Sequence, residues 1–387
     1  MIPPGRKIGV LGGGQLGTFF TIAAKRLGYR VTVWDPNSDA PAHAWADTSV
    51  KSAFDSQAAL QTFIGEADAV TFEWENIPVN LVRAIEERRP VRPGSAVLSL
   101  LQNRVREKEF LDAHNLPVTL YRAVLKQNEL TSAAKQLGFP LICKTATAGY
   151  DGIGQWRLTR MEDVCALSAA LAPRETGWIL EKVAPFTKEL SIIAARSKQG
   201  DVVTYPVTEN LHEAGILRLC RMPADIPLAL SQKISALAVE VLSALQGVGL
   251  FCIELFLLEN EVLLINEIAP RPHNSGHYTL DAVHPSQYEQ QVRVLCGLPL
   301  PQPAPLSSAV MVNLLGAEIL AIRQPEYTRK LFAIPGARMY DYRKKEIKDR
   351  RKMGHVSLIG QDPKDLLSRA EAVCAILRDA RNHTDSG

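Results

Sequence analysis

Several marks of common protein classes are missing from this sequence. Its 387 residues carry six cysteines, at 143, 165, 220, 252, 296 and 374, with no C-x-x-C pair and mostly inside apolar stretches. That argues against a disulfide framework and for reduced core thiols in a cytoplasmic protein. No uninterrupted apolar run approaches the roughly 20 residues of a membrane span, and the N-terminus leads straight into a strand and a turn instead of a signal peptide. No membrane association is expected. An excess of one charge is missing too: the formal net charge is +3, too small for a field that would attract nucleic acid or a membrane surface. There is no internal repeat and no low-complexity segment. What is present is enough chain for two or three domains with a sizeable buried core, and a soluble intracellular enzyme is the expectation.

The most informative stretch runs from Leu250 to His277. Two apolar runs, Leu250–Leu258 and Val262–Ile268, flank Glu259-Asn260 and read as a β-hairpin. A two-residue turn there sets Glu254 opposite Ile265, with Glu267 two positions along on the same face. Such diagonal neighbours lie roughly 7–8 Å apart, close enough for two glutamates to share one or two divalent ions. Without a cation, two carboxylates on an apolar hairpin are costly; the alternative is a pair of glutamates on a solvated strand edge. Asn266-Glu267 then leads into Arg271-Pro272-His273-Asn274-Ser275-Gly276, a polar turn able to hold a substrate anion beside the metal.

At the N-terminus, strand Lys7–Leu11, glycine turn Gly12-Gly13-Gly14-Gln15-Leu16-Gly17, helix Thr18–Leu27 and strand Tyr29–Asp35 fit G-x-G-x-x-G with an acid after the second strand. A dinucleotide-binding dehydrogenase fits this turn, and so does a sugar phosphate, because the backbone N–H groups of such a turn hold any phosphate. Strand Ala67–Phe72 ends in Glu73-Trp74-Glu75-Asn76. This is either a ligand-binding cluster at the end of a strand or a loop with Asn76 capping the helix Pro78–Glu87. Arg89–Ser95 breaks the pattern and marks a first boundary. The helical stretch Ala96–His114 carries the run Gln102–Lys108, whose charges read as a solvated face.

After helix Leu130–Leu137, the strand Phe139–Lys144 delivers a lysine immediately before Thr145–Gln155, a small-residue loop with three glycines. This is not a P-loop, but backbone donors plus one point charge are what a nucleoside triphosphate needs; a long hairpin loop is the alternative. Strands follow at Trp156–Leu158, Trp178–Val183, Lys188–Arg196 and Val202–Val207, then a helix at Leu228–Leu245. His212, by itself, reads as structural. The proline-rich run Gly297–Pro305 marks a second boundary. Beyond it come strands Ser308–Leu314, Ala337–Tyr342 and Val356–Ile359, a helix Pro363–Arg381, and the basic segment Arg343–His355, which suits a phosphate-binding turn better than a nucleic-acid patch.

Taken in order, these pieces resemble the ATP-grasp ligases and, within them, the N5-carboxyaminoimidazole ribonucleotide synthetases of purine biosynthesis. The residues that carry the likeness are Gly12–Gly17, Glu73–Asn76, Gly149–Gln155, Asn210-Leu211-His212, Asn266–His277 and Arg351-Lys352-Met353-Gly354-His355. The resemblance implies mixed α/β and α+β architecture. It comprises a Rossmann-like pre-ATP-grasp domain over 1–95, an ATP-grasp domain over 96–300 with a lid at about 118–184, and a small C-terminal α+β domain over 301–387, in a homodimer. It also implies carboxylation of the exocyclic amine of 5-aminoimidazole ribonucleotide with ATP, Mg²⁺ and bicarbonate, through carboxyphosphate.

By the same likeness Arg104, Lys144, Gly149, Tyr150, Asp151, Gly152, Ile153, Gly154, Gln155, Glu181, Lys182, Val183, Ala184, Glu189, His212, Asn266 and Glu267 bind ATP, and Glu254 and Glu267 bind the metal. Gly14, Gln15, Leu16, Glu75, Asn76, Tyr150, Asp151, His273, Asn274, Ser275, Lys345, Arg351 and Lys352 bind the ribonucleotide or bicarbonate. Lys144, Asp151, Glu267 and Arg271 are the catalytic set, with Arg271, His273 and Asn274 as the bicarbonate pocket. The family's usual Arg-Pro-Gly before the last motif is replaced by Lys348-Asp349-Arg350. Formate-dependent glycinamide ribonucleotide transformylase is the nearest rival, but its glycine loop lacks the Tyr-Asp pair. A nicotinamide dehydrogenase leaves two thirds of the chain unexplained, and an inactive ATP-grasp binding protein is expected to lose Lys144, Glu254 or Glu267.

Overall fold

The computed structural model describes every residue except 150, 151, 173 and 385–387, and side chains of the last helix only through residue 380. The predictions for Tyr150 and Asp151 therefore lie outside the described residues. At the N-terminus, Lys7–Leu11 (β1), Arg30–Trp34 (β2), Thr48–Val50 (β3) and Ala69–Phe72 (β4) form a parallel sheet ordered β3-β2-β1-β4. Helix α1 (Gln15–Arg26) covers one face, and α2 (Gln57–Gly65) and α3 (Val79–Glu86) cover the other. Burial on both faces is why these strands are apolar without alternation. Helix α3 has Pro78 at its N-cap, so Asn76 is not the cap.

The helix-rich stretch over 96–114 holds two helices, α4 (Ser95–Leu101) and α5 (Arg104–Ala113). Asn103 separates them: its side-chain oxygen accepts from the Val105 and Arg106 N–H groups at 3.0 and 3.2 Å, which starts a new helix. The next segment is an antiparallel sheet, β5-β8-β6-β7, built from Tyr121–Val124 (β5), Leu141–Thr145 (β6), Gln155–Leu158 (β7) and Trp178–Lys182 (β8). Helices α6 (Leu130–Leu137) and α7 (Met161–Ala170) pack on one face, against Leu141, Cys143, Trp178 and Leu180. Alternation along β6 and β8 turns Lys144 and Glu181 to the opposite face.

The central sheet begins β14-β13-β9-β11-β12, from Phe186–Arg196 (β9), Thr208–Glu213 (β11), Ile216–Met222 (β12), Gly249–Leu258 (β13) and Leu263–Ala269 (β14), with Val202–Thr204 (β10) paired beside β9. Phe251, Ile253, Leu255 and Leu257 face α8 (Leu228–Leu245), while Cys252 and Glu254 face the other side. Helix α8 is long and apolar enough to cross a membrane, but Leu230, Ile234, Val241 and Leu242 are buried against this sheet. After the short α9 (Thr279–Ala282), paired β15 (Val283–His284) and β16 (Ala304–Pro305) flank α10 (Gln287–Cys296). Helix α10 puts Tyr288, Val292 and Leu295 into the N-terminal core and Val294 into the central one.

The C-terminal strands form no sheet of their own. Ser308–Leu315 (β17), Ala337–Asp341 (β18) and Lys352–Gly360 (β19) extend the central sheet as β12-β17-β19-β18, with α11 (Glu318–Ile322), α12 (Pro325–Phe332) and α13 (Pro363–Thr384) packed on them. Where the three parts meet, Phe19 of α1 sits against five rings: His277, Tyr288, Tyr340, Tyr342 and His355. The two imidazoles stack with centroids 4.5 Å apart. Tyr288 and Tyr342 hydroxyls hydrogen-bond to Nδ1 of His277 and His355 at 2.7 and 2.8 Å.

Burial lowers the His355 pKa to about 3 and, with His355 and nearby cations, takes that of His277 well below its ordinary value. A histidine kept neutral in the folded chain protonates on unfolding, so its stabilising contribution is full above about pH 6.5 and is lost as pH falls toward the folded value. Urea unfolding should therefore show the stability difference between wild type and His355→Phe changing by about 1.4 kcal/mol per pH unit from about pH 6.5 down to about pH 5. A difference that does not vary with pH would refute neutral burial.

Candidate active site

Glu254 and Glu267 are direct cross-strand partners, not diagonal ones. The sequence expectation placed Ile265 opposite Glu254; instead Ile265 pairs with Leu255. Two local features shift the register. The connection is a three-residue turn, Glu259–Glu261, in which Asn260 and Glu261 take positive φ. A bulge then sets both Asn266 and Glu267 against Glu254. Leucine and isoleucine pack in this core at positions 263, 265 and 268, and the odd step from 265 to 268 needs an extra residue between them. That broken alternation was the available signal.

The electrostatics follow from this pairing. Burial raises the pKa of Glu267, and the adjacent Glu254 carboxylate raises it further, against the pull of Arg104 and Lys144. Burial works against Glu254 as well, but His273, His212 and Asn266 hold its pKa down to about 2. His273 Nε2 lies 3.1 Å from Glu254. Despite burial, the Cys252 thiol and Glu254 raise the imidazole pKa to about 10. Among the described residues no cluster of three or more His, Cys, Asp or Glu side chains forms a metal cage. Two adjacent carboxylates of this kind nevertheless suit Mg²⁺, which takes one or two carboxylates and leaves other positions to water and phosphate oxygens.

Cations approach this pair from the β5-β8-β6-β7 sheet and from α5. Lys144 Nζ is 2.5 Å from Glu181, and Lys108 Nζ is 3.7 Å from the same carboxylate. Burial opposes ionisation of Glu181, but Lys144 and then Lys108 lower its pKa. Arg104 donates to the Thr145 and Gly149 carbonyls at 3.1 and 2.6 Å, holding the base of the glycine loop. Gly154 has φ +74° and would bring a Cβ within 2.9 Å of Thr145 Oγ1, so the return of that loop requires glycine. Lys182 is drawn away: its ammonium donates to the Gly138 and Phe139 carbonyls. The Val183 N–H is spent on Pro140.

Glu189, Asn210, His212, Glu254, Phe256 and Asn266 line a recess above the sheet. His212 forms an ion pair with Glu189; burial works against its charge, yet Glu189 and Glu254 raise its pKa. Behind the recess, the Ser275 hydroxyl bonds to Ser191 at 2.8 Å and to His273 Nδ1 at 2.9 Å. Ser275 therefore orients His273. Asn274, 5% exposed, has neither amide atom partnered among the described residues, an arrangement that costs about 1–3 kcal/mol per unmet group until a ligand arrives. Arg271 forms an ion pair with Glu75 from the N-terminal part, whose backbone carbonyl accepts from Gln102.

Three N–H groups of the glycine turn are taken up within the chain. Gly14 and Gly17 N–H groups donate to Glu73 at 2.9 and 3.0 Å, and Gly13 N–H donates to Asp35 at 2.6 Å. Two carboxylates of the chain thus hold the Gly13, Gly14 and Gly17 N–H groups, which the sequence expectation left open for phosphate. The dinucleotide alternative loses its donors and its ribose acid together. Lys345, expected in the substrate site, is 2.5 Å from Asp39 on the surface. Its neighbour Lys344 turns inward, donating to the Lys352 carbonyl at 2.7 Å above the Tyr342 ring. The reversal follows Arg343, whose φ is +56° and whose N–H donates to Asp341. Arg351 bonds to the Glu346 carbonyl at 2.8 Å.

Sequence reasoning missed Glu73, Lys344, Glu107 and Lys108. The last two sat in a charged run read as solvated, yet they are 2% and 1% exposed. Val105, Lys108 and Leu111, spaced i, i+3, i+6, form one buried stripe of α5; that spacing was the signal.

Residues 5–102 match the ribonucleotide synthetase preATP-grasp domain, residues 109–288 the ATP-grasp domain, and residues 309–369 the phosphoribosylaminoimidazole carboxylase C-terminal domain. The chain is 39% identical over 366 residues to the N5-carboxyaminoimidazole ribonucleotide synthase of Bacillus subtilis, covering 94% of each. A crystal structure of the ADP complex of an N5-carboxyaminoimidazole ribonucleotide synthetase is similar at TM-score 0.91 and 39% identity, over 98% of this chain and 99% of that one. The Aspergillus clavatus synthase, in complex with ADP and 5-aminoimidazole ribonucleotide, is similar at TM-score 0.86 and 29% identity, over 97% and 99%.

The shared carboxylate makes a stability prediction. Glu181→Ala leaves the ammonium groups of Lys144 and Lys108 buried without their common counter-charge, so it should destabilise the fold by about 3–5 kcal/mol. Urea unfolding measures this, and a loss below about 1 kcal/mol, the range of an exposed pair, would contradict it.

Proposed function

Since the chain belongs to the N5-carboxyaminoimidazole ribonucleotide synthase family of ATP-grasp ligases, we propose how its residues divide the work of that reaction. It is an ATP-dependent carbon–nitrogen ligase of purine biosynthesis that carboxylates 5-aminoimidazole ribonucleotide at its exocyclic amine. Bicarbonate is the carboxyl source in this reading. A bicarbonate oxygen attacks the γ-phosphorus, ADP leaves, and the resulting carboxyphosphate, or the CO₂ it releases, is captured by the amine, which gives up a proton as phosphate departs.

No protein nucleophile is needed, so catalysis is positioning and charge neutralisation. The nucleotide site comprises Arg104, Lys144, the Gly149–Gln155 loop with Ile153, the hinge Glu181-Lys182-Val183-Ala184, Glu189, His212, Asn266 and Glu267. Glu254 and Glu267 hold Mg²⁺, which neutralises charge developing on the phosphate oxygens. The observation that carries the carboxylation pocket is Asn274, a buried amide with neither atom partnered among the described residues, next in sequence to His273 and close to Arg271. Two cations and an amide suit a small oxyanion such as bicarbonate.

The aminoimidazole ribonucleotide lies between Gly14, Gln15, Leu16, Glu75 and Asn76 on one side and Lys344, Arg351 and Lys352 on the other; by family likeness Tyr150 and Asp151, outside the described residues, contact it as well. The basic side chains supply phosphate contacts opposite the glycine turn. Segments 1–95, 96–300 and 301–387 act as the three functional units, with the lid over about 118–184. We place the protein in the cytoplasm as a homodimer; free thiols at all six cysteines support the compartment and family likeness the assembly.

Glu267→Gln should abolish ADP release that depends on aminoimidazole ribonucleotide and bicarbonate, and its urea midpoint should hold or rise, because the variant removes a carboxylate that Glu254 repels. Turnover at the wild-type rate would sink the metal assignment. For Asp151→Ala the expectation is loss of aminoimidazole-dependent turnover with ATP binding kept. Loss of ATP binding alone would assign Asp151 to the nucleotide instead.

A further inference from the structure

Strand β14 is an edge of the central sheet, and an edge strand carries a row of backbone groups with no strand to pair them. Around Glu267 these groups are taken up from outside the sheet. Ile265 N–H donates to the Pro117 carbonyl at 2.7 Å. The Ile265 and Asn266 carbonyls both accept from Lys108 Nζ at 2.9 Å. Ile268 N–H donates to Glu107 Oε1 at 2.5 Å. Two consecutive side chains of α5 thus grip the strand on both sides of Glu267, across the bulge that sets it opposite Glu254.

We propose that Glu107 and Lys108 are positioning residues for the divalent-cation site: by clamping the β14 edge they hold the bulge, and with it the Glu267 carboxylate, in register with Glu254. A bulge leaves a residue unpaired in the ladder, so without the clamp this edge can relax to a plain register that turns Glu267 away. Lys108 also reaches toward Glu181 on β8, so one ammonium ties the lid sheet and the metal hairpin to the same helix. Both side chains are buried and act in this arrangement through the β14 backbone. The inference rests on the reading of Glu254 and Glu267 as metal ligands.

The test uses full-length protein, Mn²⁺ as the probe, and calorimetric titration in the presence of ADP. Glu107→Ala removes the Ile268 acceptor and should weaken Mn²⁺ binding by about 10–100-fold, the usual penalty for losing a group that orients a metal ligand. The Mg²⁺ concentration for half-maximal turnover should rise in parallel. Glu107→Gln keeps an acceptor oxygen and should restore binding to within a few-fold of wild type. Lys108→Met should weaken binding like Glu107→Ala, and carries the test alone if that variant does not fold.

A merely structural role lowers the urea midpoint and leaves Mn²⁺ affinity of the folded protein unchanged; that result in Glu107→Ala or Lys108→Met would overturn the proposal. Failure of the underlying reading looks different. Glu267→Gln would then bind Mn²⁺ as wild type does, or wild type would bind none.

Discussion

Two glutamates facing each other on adjacent strands, both partly withdrawn from water, set the terms for the rest of this molecule. Each carboxylate is costly to bury, and each raises the cost of ionising the other. The chain offsets that cost with cations drawn from β11, the turn after β14, α5 and β6: His212 and His273 beside Glu254, and Arg104 and Lys144 toward Glu267. The compensation is unequal. Glu254 is held firmly ionised while Glu267 is pushed toward its proton, so the pair is short of positive charge in a place where a divalent ion would supply it.

That requirement explains connections that packing alone does not. Lys144 reaches the site from the β5-β8-β6-β7 sheet and shares Glu181 with Lys108, which belongs to α5. Arg271 and Glu75 join the central part to the N-terminal one. The ring cluster around Phe19 brings α1, the turn after β14 and the strand β19 to a common floor. Each of these junctions places a segment carrying polar site residues beside another one. These polar side chains accordingly gather at the meeting of the three parts, where no single core has to enclose them.

Much of the secondary structure was legible because its signals are local. Strand β1 and helices α6 and α8 fall where apolar periodicity and flanking turn residues placed them, and the glutamates of the hairpin stood out as charges on an apolar strand. Errors arose where a position has two local readings. The run around Lys108 has the charge pattern of a solvated helix, and only the edge strand lying against it makes burial of its charges sensible. Lys345 and Lys344 are chemically alike, and a positive φ at Arg343 decided which of them turns inward.

The sequence by itself determined the types of chemistry available: paired carboxylates, a strand-borne lysine before a glycine loop, and a polar turn following the hairpin. Those follow from residue identity and short-range periodicity, which need no partner to be read. The tertiary structure alone decided which groups are already occupied. Glu73 and Asp35, far along the chain from the glycine turn, satisfy N–H groups that looked ready for phosphate. A bulge moved Glu267 from a diagonal to a direct partner of Glu254. Hydrogen bonds between segments distant in sequence, and the register of one strand against another, depend on long-range geometry that no local window of residues contains.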